Sequence, residues 1–358
     1  MTLRCVILLA VLAVNGYGDT LDTIRQQFEV YHRNPGEIEI LSTDNIEQID
    51  NVLKRTEAKR LIARKELDKE QTVNQPKKDF PSPLLADGYA VPFVHYVAVE
   101  RVLAKRSLQQ GKPDDALQSI QYVYRLADAL SESGSLELRT VAALTRLQML
   151  ETVQSLLQNP HCRREHHKLL YTLFDEQANR VAEKTIWTRY REEGKQFFEE
   201  TARSGFDKTV SPDVLKKLLA RNALDEYKKT PVERFTLDQS VFHQVMSAVI
   251  ESCEVPFYRR QTILRHLNKE LQERRGTASE PVFALLLLQD VSESMRLFAQ
   301  ERTGNEMAYL ALSAALNGQN RHKTMNFLTG KDYEFRLIPD GIMYTYEGNV
   351  KPFYVPYR

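Results

Sequence analysis

The sequence predicts a mainly α protein: antiparallel helical hairpins forming one array or bundle, closed by a small C-terminal β-hairpin. Three observations carry this. Apolar residues recur at helical spacing over most of the chain. Gly and Pro are sparse, 14 each in 358 residues, which suits long helices better than a many-turned β-fold. The texture changes to two-residue alternation only near the end, at Tyr333-Glu334-Phe335-Arg336-Leu337-Ile338.

Met1 to Gly18 reads as a secretory signal peptide. Arg4 supplies the positive start, Cys5 to Val14 a ten-residue apolar run too short to span a bilayer, and Gly16 and Gly18 the small residues before a cut at Asp19. The expected localisation is therefore exported, periplasmic or secreted, with no transmembrane span in the mature chain. Residues 19–83 read as an N-terminal helical segment and linker. A helix over 19–32 ends at Asn34-Pro35-Gly36. A charged helix over 45–70, with few apolar positions, reads as solvated. The three-proline stretch QTVNQPKKDFPSP (71–83) reads as the linker.

Residues 84–330 are expected to form the helical core. A helix carrying Val97, Val99, Val102, Leu103 and Leu108 stops at Gly111, where the left-handed conformation that ends many helices is tolerated. Pro113 opens the next helix, in the first turn where a missing N–H costs nothing, and Asp114 and Asp115 suit the positive end of its dipole. Ala116, Leu117, Ile120, Val123, Tyr124, Ala127 and Leu130 form its apolar stripe. The turn resembles that of a tetratricopeptide repeat, but no copy follows 34 residues on, so it reads as local geometry. A third helix follows Ser133-Gly134. Further helices are expected near 162–175, 180–202, 211–228, 238–252, 257–275, 281–302 and 305–317, with starts marked by Ser211-Pro212, by the capping-box pair Thr236 and Gln239, and by Pro256.

Residues 331–358 read as a β-hairpin turning at Pro339-Asp340-Gly341, with an aromatic tail. Of the chain's 16 Tyr and 15 Phe, eight lie between Phe327 and Tyr357. An isolated hairpin is marginal in water, so these rings must pack on the helices, on a partner or on both. Tyr333, Phe335, Tyr344, Tyr346, Phe353 and Tyr354 are the candidate interaction residues.

The stretch GKPDDALQSIQ…TVQSLL (111–157) resembles the central segment of exported helical proteins of planctomycete type. MAYLALSAALNGQ (307–319) looks like the helix those proteins place before their tail. LTGKDYEFRLIPDGIMYTYEGN (328–349) is similar to their closing segment, itself like the end of a type II secretion pseudopilin. The resemblance implies compartment and architecture, not a reaction. The tail departs from the pattern at Arg321-His322-Lys323-Thr324, so no calcium-binding role carries over.

Candidate chemistry is thin. His161, Cys162, Glu165, His166 and His167 are the densest set of possible metal ligands, because residues four apart on a helix share a face. Arg163 and Arg164 beside them weigh against a cation. Cys162 and Cys253, the two cysteines after the signal segment, permit one disulfide in an oxidising compartment. The basic stretch Tyr258–Arg275 reads as an ordinary amphipathic helix, and the Glu192-Glu193 and Glu199-Glu200 pairs as a solvated face. No phosphate loop, nucleophile elbow or dinucleotide fingerprint is present, so no cofactor is expected. The 49 basic and 48 acidic residues nearly cancel, which gives no general attraction to nucleic acid. The expected function is that of an exported, non-catalytic helical protein, an interaction or structural component of the cell envelope whose partner is another envelope protein. The alternative is an exported hydrolase acting on a glycan or peptide in a helical cleft.

Overall fold

The computed structural model describes residues 20–33, 35–43, 45–70, 89–132, 135–177, 182–204, 231–274, 277, 280–288, 291–317, 325–346 and 352–357. The expected signal peptide, the linker at 71–83 and the helix at 211–228 lie outside the described residues. The fold is mainly helical with a small C-terminal antiparallel sheet.

Helix α1 (Thr20–Arg33) turns Leu21, Ile24, Phe28 and Tyr31 inward at three- and four-residue spacing. Each buried side chain of this size contributes about 1.5–3 kcal/mol. The short α2 (Gly36–Glu39) and a single 3₁₀ turn (Ile40–Ser42) lead into α3 (Ile46–Glu70). Then come α4 (Val91–Gln109), α5 (Pro113–Glu132), α6 (Leu136–Gln158) and α7 (Arg164–Gln177). The α4–α5 hairpin is built as its residues demand: Gly111 adopts φ +72° and Pro113 is the first residue of α5. Helices α1, α4, α5 and α6 pack side by side in chain order, with α3 lying across α1.

Contrary to expectation, α3 is not a solvated helix. Val52, Ala63 and Leu67 are buried, and Arg64 is buried with them. The Arg64 guanidinium donates to both oxygens of Glu100, at 2.8 and 2.6 Å, and to Ser119 Oγ at 2.8 Å. A paired arginine thus does the work of an apolar residue, which a hydrophobicity count does not register.

A second core is made by α8 (Glu183–Ser204), α9 (Pro231–Ser252), α10 (Phe257–Arg274) and the short α11 (Val282–Leu288). Helix α9 starts at Pro231, so Thr236 lies inside it rather than capping it. Arg260 is buried at the start of α10. It donates to Glu183 at 2.8 Å and to the Val255 carbonyl at 2.7 Å, tying α10 to α8. Asp238 on α9 is fully buried and accepts the N–H groups of Phe283 and Ala284 at 3.2 and 3.1 Å, capping α11 from another helix.

Helix α12 (Val291–Asn317) joins the two cores. Two helices were expected here, but the chain runs through Gly304 without a break. A Cβ at Gly304 would sit 2.8 Å from the Leu150 Cδ1 of α6, so a larger residue there would have to displace that side chain. The first half of α12 places Met295 and Phe298 in the second core, and the second half places Met307, Ala311 and Leu312 in the first. Between the halves, Glu301 is buried and binds Arg139 and Arg146 of α6, while Arg146 also binds Asp128 of α5. Burial alone would raise the Glu301 carboxyl; the two guanidinium groups reverse this and hold it below its ordinary range.

The C-terminal sheet has three strands rather than two: β1 (Glu334–Ile338), β2 (Gly341–Thr345) and β3 (Phe353–Pro356), in that spatial order. The third strand comes from residues expected to be a tail. Strands β2 and β3 lie on α12, and β3 also touches α6. The expected divisions at residues 84 and 331 therefore do not divide the packing: α1, α3 and the sheet all share the first core.

Two outcomes follow. Glu301→Ala leaves the half-buried Arg139 without this carboxylate and the buried Arg146 with Asp128 alone, and urea unfolding should show a loss of about 3–5 kcal/mol. Burial pushes Asp238 up to about 7 from the usual 3.8, against the backbone N–H groups that favour its charge. The folded chain then keeps a proton that the unfolded chain releases. This contribution to stability should fall as pH rises from about 4 to about 7 and level off above. Asp238→Asn should remove that slope when unfolding is compared with the parent across the same range.

Candidate interaction surface

Among the described residues no group of three or more His, Cys, Asp or Glu is arranged to hold a metal ion. The five candidate ligands diverge. The exposed His161 lies against Gly111, with its ring 3.1 Å from where a Cβ would stand. Cys162 and His167 are buried, and Glu165 is exposed. His166 is fully engaged: the Arg163 N–H donates to its Nδ1 at 2.7 Å, so Nε2 carries the proton and donates to Asp114 at 2.9 Å. That hydrogen bond, with Arg163 nearby, holds the Asp114 carboxyl below its ordinary range. The cluster joins the α6–α7 turn to the start of α5.

The disulfide is not formed. Both cysteines are free thiols, Cys162 in the first core and Cys253 against the second. Burial, with Glu183 beside it, pushes the Cys253 thiol up to about 12, far from a reactive thiolate. The carboxylates that a hydrolase would draw on run along α8 as helix-surface pairs, Glu192 with Arg191, Glu193 with Arg189 and Glu199 with Lys195. An open groove lies between α10 and the start of α12, floored by Phe257 and Leu264 and rimmed by Arg265, Asn268, Ser292 and Arg296.

Of the six aromatic candidates, four lie in the strands and Tyr333 and Tyr346 flank them, and three of the six face inward. Tyr333, Tyr344 and Phe353 are buried, and Phe335, Tyr346 and Tyr354 are half-buried. Tyr333 Oη donates to Glu306 at 2.9 Å and lies 3.1 Å from the Thr303 carbonyl of α12. Phe335 and Tyr344 sit 5.0 Å apart between ring centres, a cross-strand pair. The buried rings fix the sheet to the body.

What the sheet offers instead is its edges, and the two differ. On β3, the side-chain amide of Gln154 from α6 acts as a substitute strand: the Tyr354 N–H donates to Gln154 Oε1 at 2.7 Å, and Gln154 Nε2 donates to the Tyr354 carbonyl at 2.6 Å. Pro356 carries no N–H at all. That edge is closed. On the other side, β1 is an edge strand to which no described strand pairs. Its residues are mostly exposed, Leu337 by 58 %. Sequence reasoning missed this because it weighed which residues were aromatic, and an edge is a property of backbone order.

Gln154→Ala should remove the side-chain amide that the Tyr354 N–H and carbonyl bind, at a cost of about 1–3 kcal/mol. Hydrogen exchange should quicken at β3, while far-ultraviolet circular dichroism retains the helical body.

Among the described residues no helix is long and apolar enough to cross a membrane. No family model, no curated protein and no solved structure matches the chain.

Proposed function

We propose that the chain is an exported, non-catalytic helical protein that works by protein–protein contact in the cell envelope, with the β1 edge as its contact surface. The observation that carries this reading is the contrast between the edges of one sheet. An unpaired edge is a template for another strand; β3 is covered by a dedicated side chain, while among the described residues no strand pairs with the outer side of β1 beyond the Met325–Asp332 bridge that precedes it. The body supports the reading as a rigid mount. Its buried charges are paired with one another, Arg64 with Glu100, Arg260 with Glu183, and Arg146 with Asp128 and Glu301. The n-region, apolar run and small residues of Met1–Gly18 support export. The partner is another protein of the same compartment.

The test uses the full chain in its native cells, with a photo-cross-linking residue at Leu337 and, as a control, at the exposed Gln272 of α10. The protein should be recovered from the envelope with Asp19 as its first residue, and adducts should form from position 337 and not from 272. A chain retained in the cytoplasm with Met1 in place removes export. Equal adducts from both positions remove the edge as the contact surface.

A further inference from the structure

We propose that Tyr171 and Tyr309 form a site of oxidative modification, where hydrogen peroxide, used by a haem peroxidase, joins the two rings as dityrosine and ties α7 covalently to α12. This stands apart from the reading of the β1 edge and draws only on the helical body.

The two rings come from helices that pack directly on each other, Tyr171 from the middle of α7 and Tyr309 from the second half of α12. Both residues are half-buried at the border of the first core. Their rings are stacked, 4.9 Å between centres and 19° from parallel. Their hydroxyl oxygens are 2.9 Å apart, within hydrogen-bond distance. Stacking alone is ordinary packing, since aromatic pairs favour offset arrangements at this spacing. The two contacts together say more. Nearly parallel rings that also meet at their hydroxyls bring the ring carbons next to those hydroxyls near each other. Those carbons are where one-electron oxidation of a phenol places unpaired electron density. Tyr333 and Tyr346 show the contrast. Their rings are 6.2 Å apart and edge-on at 90°, and the Tyr333 hydroxyl is engaged by Glu306.

The chemistry balances with peroxide as the only oxidant. Each phenol gives up one electron and one proton and becomes a phenoxyl radical. The two unpaired electrons then form one carbon–carbon bond between the carbons beside the oxygens. The hydrogen on each of those carbons moves to its oxygen, which restores two phenols. The linked pair is two hydrogens lighter, and the two electrons and two protons turn one hydrogen peroxide into two waters. The peroxidase takes the electrons one at a time. A pair already in contact replaces a collision between molecules by an internal step, at an effective concentration far above any in solution. The exposed Tyr357 has no such advantage and must meet another ring by collision. The bond closes a loop of 138 positions. It joins the early helices of the first core to the segment that returns to that core after the second. A link over so long a loop restricts the unfolded chain, so the modified protein is expected to melt at a higher temperature.

The experiment treats the full chain, dilute, with a haem peroxidase and hydrogen peroxide. It reads dityrosine fluorescence, the mass of the chain after disulfide reduction, and the linked peptides. One link between Tyr171 and Tyr309 is expected, in a chain that migrates as a single copy, is two hydrogens lighter and has its Tm raised by about 5 °C or more. Tyr171→Phe and Tyr309→Phe keep the stacked rings, and each should lose that link with the circular dichroism spectrum unchanged. Coupling only between chains, a link that uses other tyrosines, or an intramolecular link that survives in the Phe variants would each overturn the proposal. So would the absence of dityrosine under conditions that couple free tyrosine, and the pair is then a packing contact alone. If either variant fails to fold, the identity of the linked peptides in the parent chain decides.

Discussion

The structure depends on a carboxylate held where no carboxylate would sit alone. Glu301 lies halfway along α12, at the point where that helix leaves one core and enters the other. An ionised carboxylate in an apolar interior is untenable without compensation. Arg139 and Arg146 supply it from α6, and Asp128 balances the second arginine from α5. The three helices are thereby fixed in register by charge, in a region where hydrophobic contacts alone would allow sliding. Gly304, one turn further, lets α12 approach α6 closely enough for this to work.

The same device recurs with different partners. Arg64 and Glu100 fix α3 to α4, and Arg260 and Glu183 fix α10 to α8. In each case a long charged side chain is buried because its partner comes from another helix. Asp238 is the variation, since its partners are backbone N–H groups, and burial leaves its carboxyl raised where the arginines leave that of Glu301 lowered. The result is a body whose helix–helix angles are set by a few directional contacts laid over ordinary apolar packing.

Local features were legible in the sequence and distant ones were not. The stop at Gly111, the start at Pro113, the span of α3 and the turn at Pro339-Asp340 are written in neighbouring residues, and they appear where expected. Misreadings arose where a residue's role depends on something far along the chain. Lys, Arg and Glu made α3 look solvated until Arg64 met Glu100. The helices expected at 281–302 and 305–317 run together through Gly304, whose neighbour Leu150 lies on another helix. The segment Phe353–Pro356 looked like a tail because the strand it pairs with and the glutamine that covers it are invisible to a local reading. The aromatic residues of the sheet were found, but their direction was not, since alternation along a strand gives two faces without saying which one the helices will cover.

One feature of the layout bears on the order of assembly. The first core draws on residues 21–174 and then on 307–355, and apart from Leu136 and Ala143 the second core is threaded between. Gln154 waits 200 positions for Tyr354, and Arg139 waits 162 for Glu301. Until those late segments emerge from the ribosome, α6 carries buried-type charges and an uncovered apolar face with nothing to meet them. Closure is thus a non-local and slow event. A nascent chain of this design remains unlocked until residues 334–356 have been made, and the strands they form are the latch.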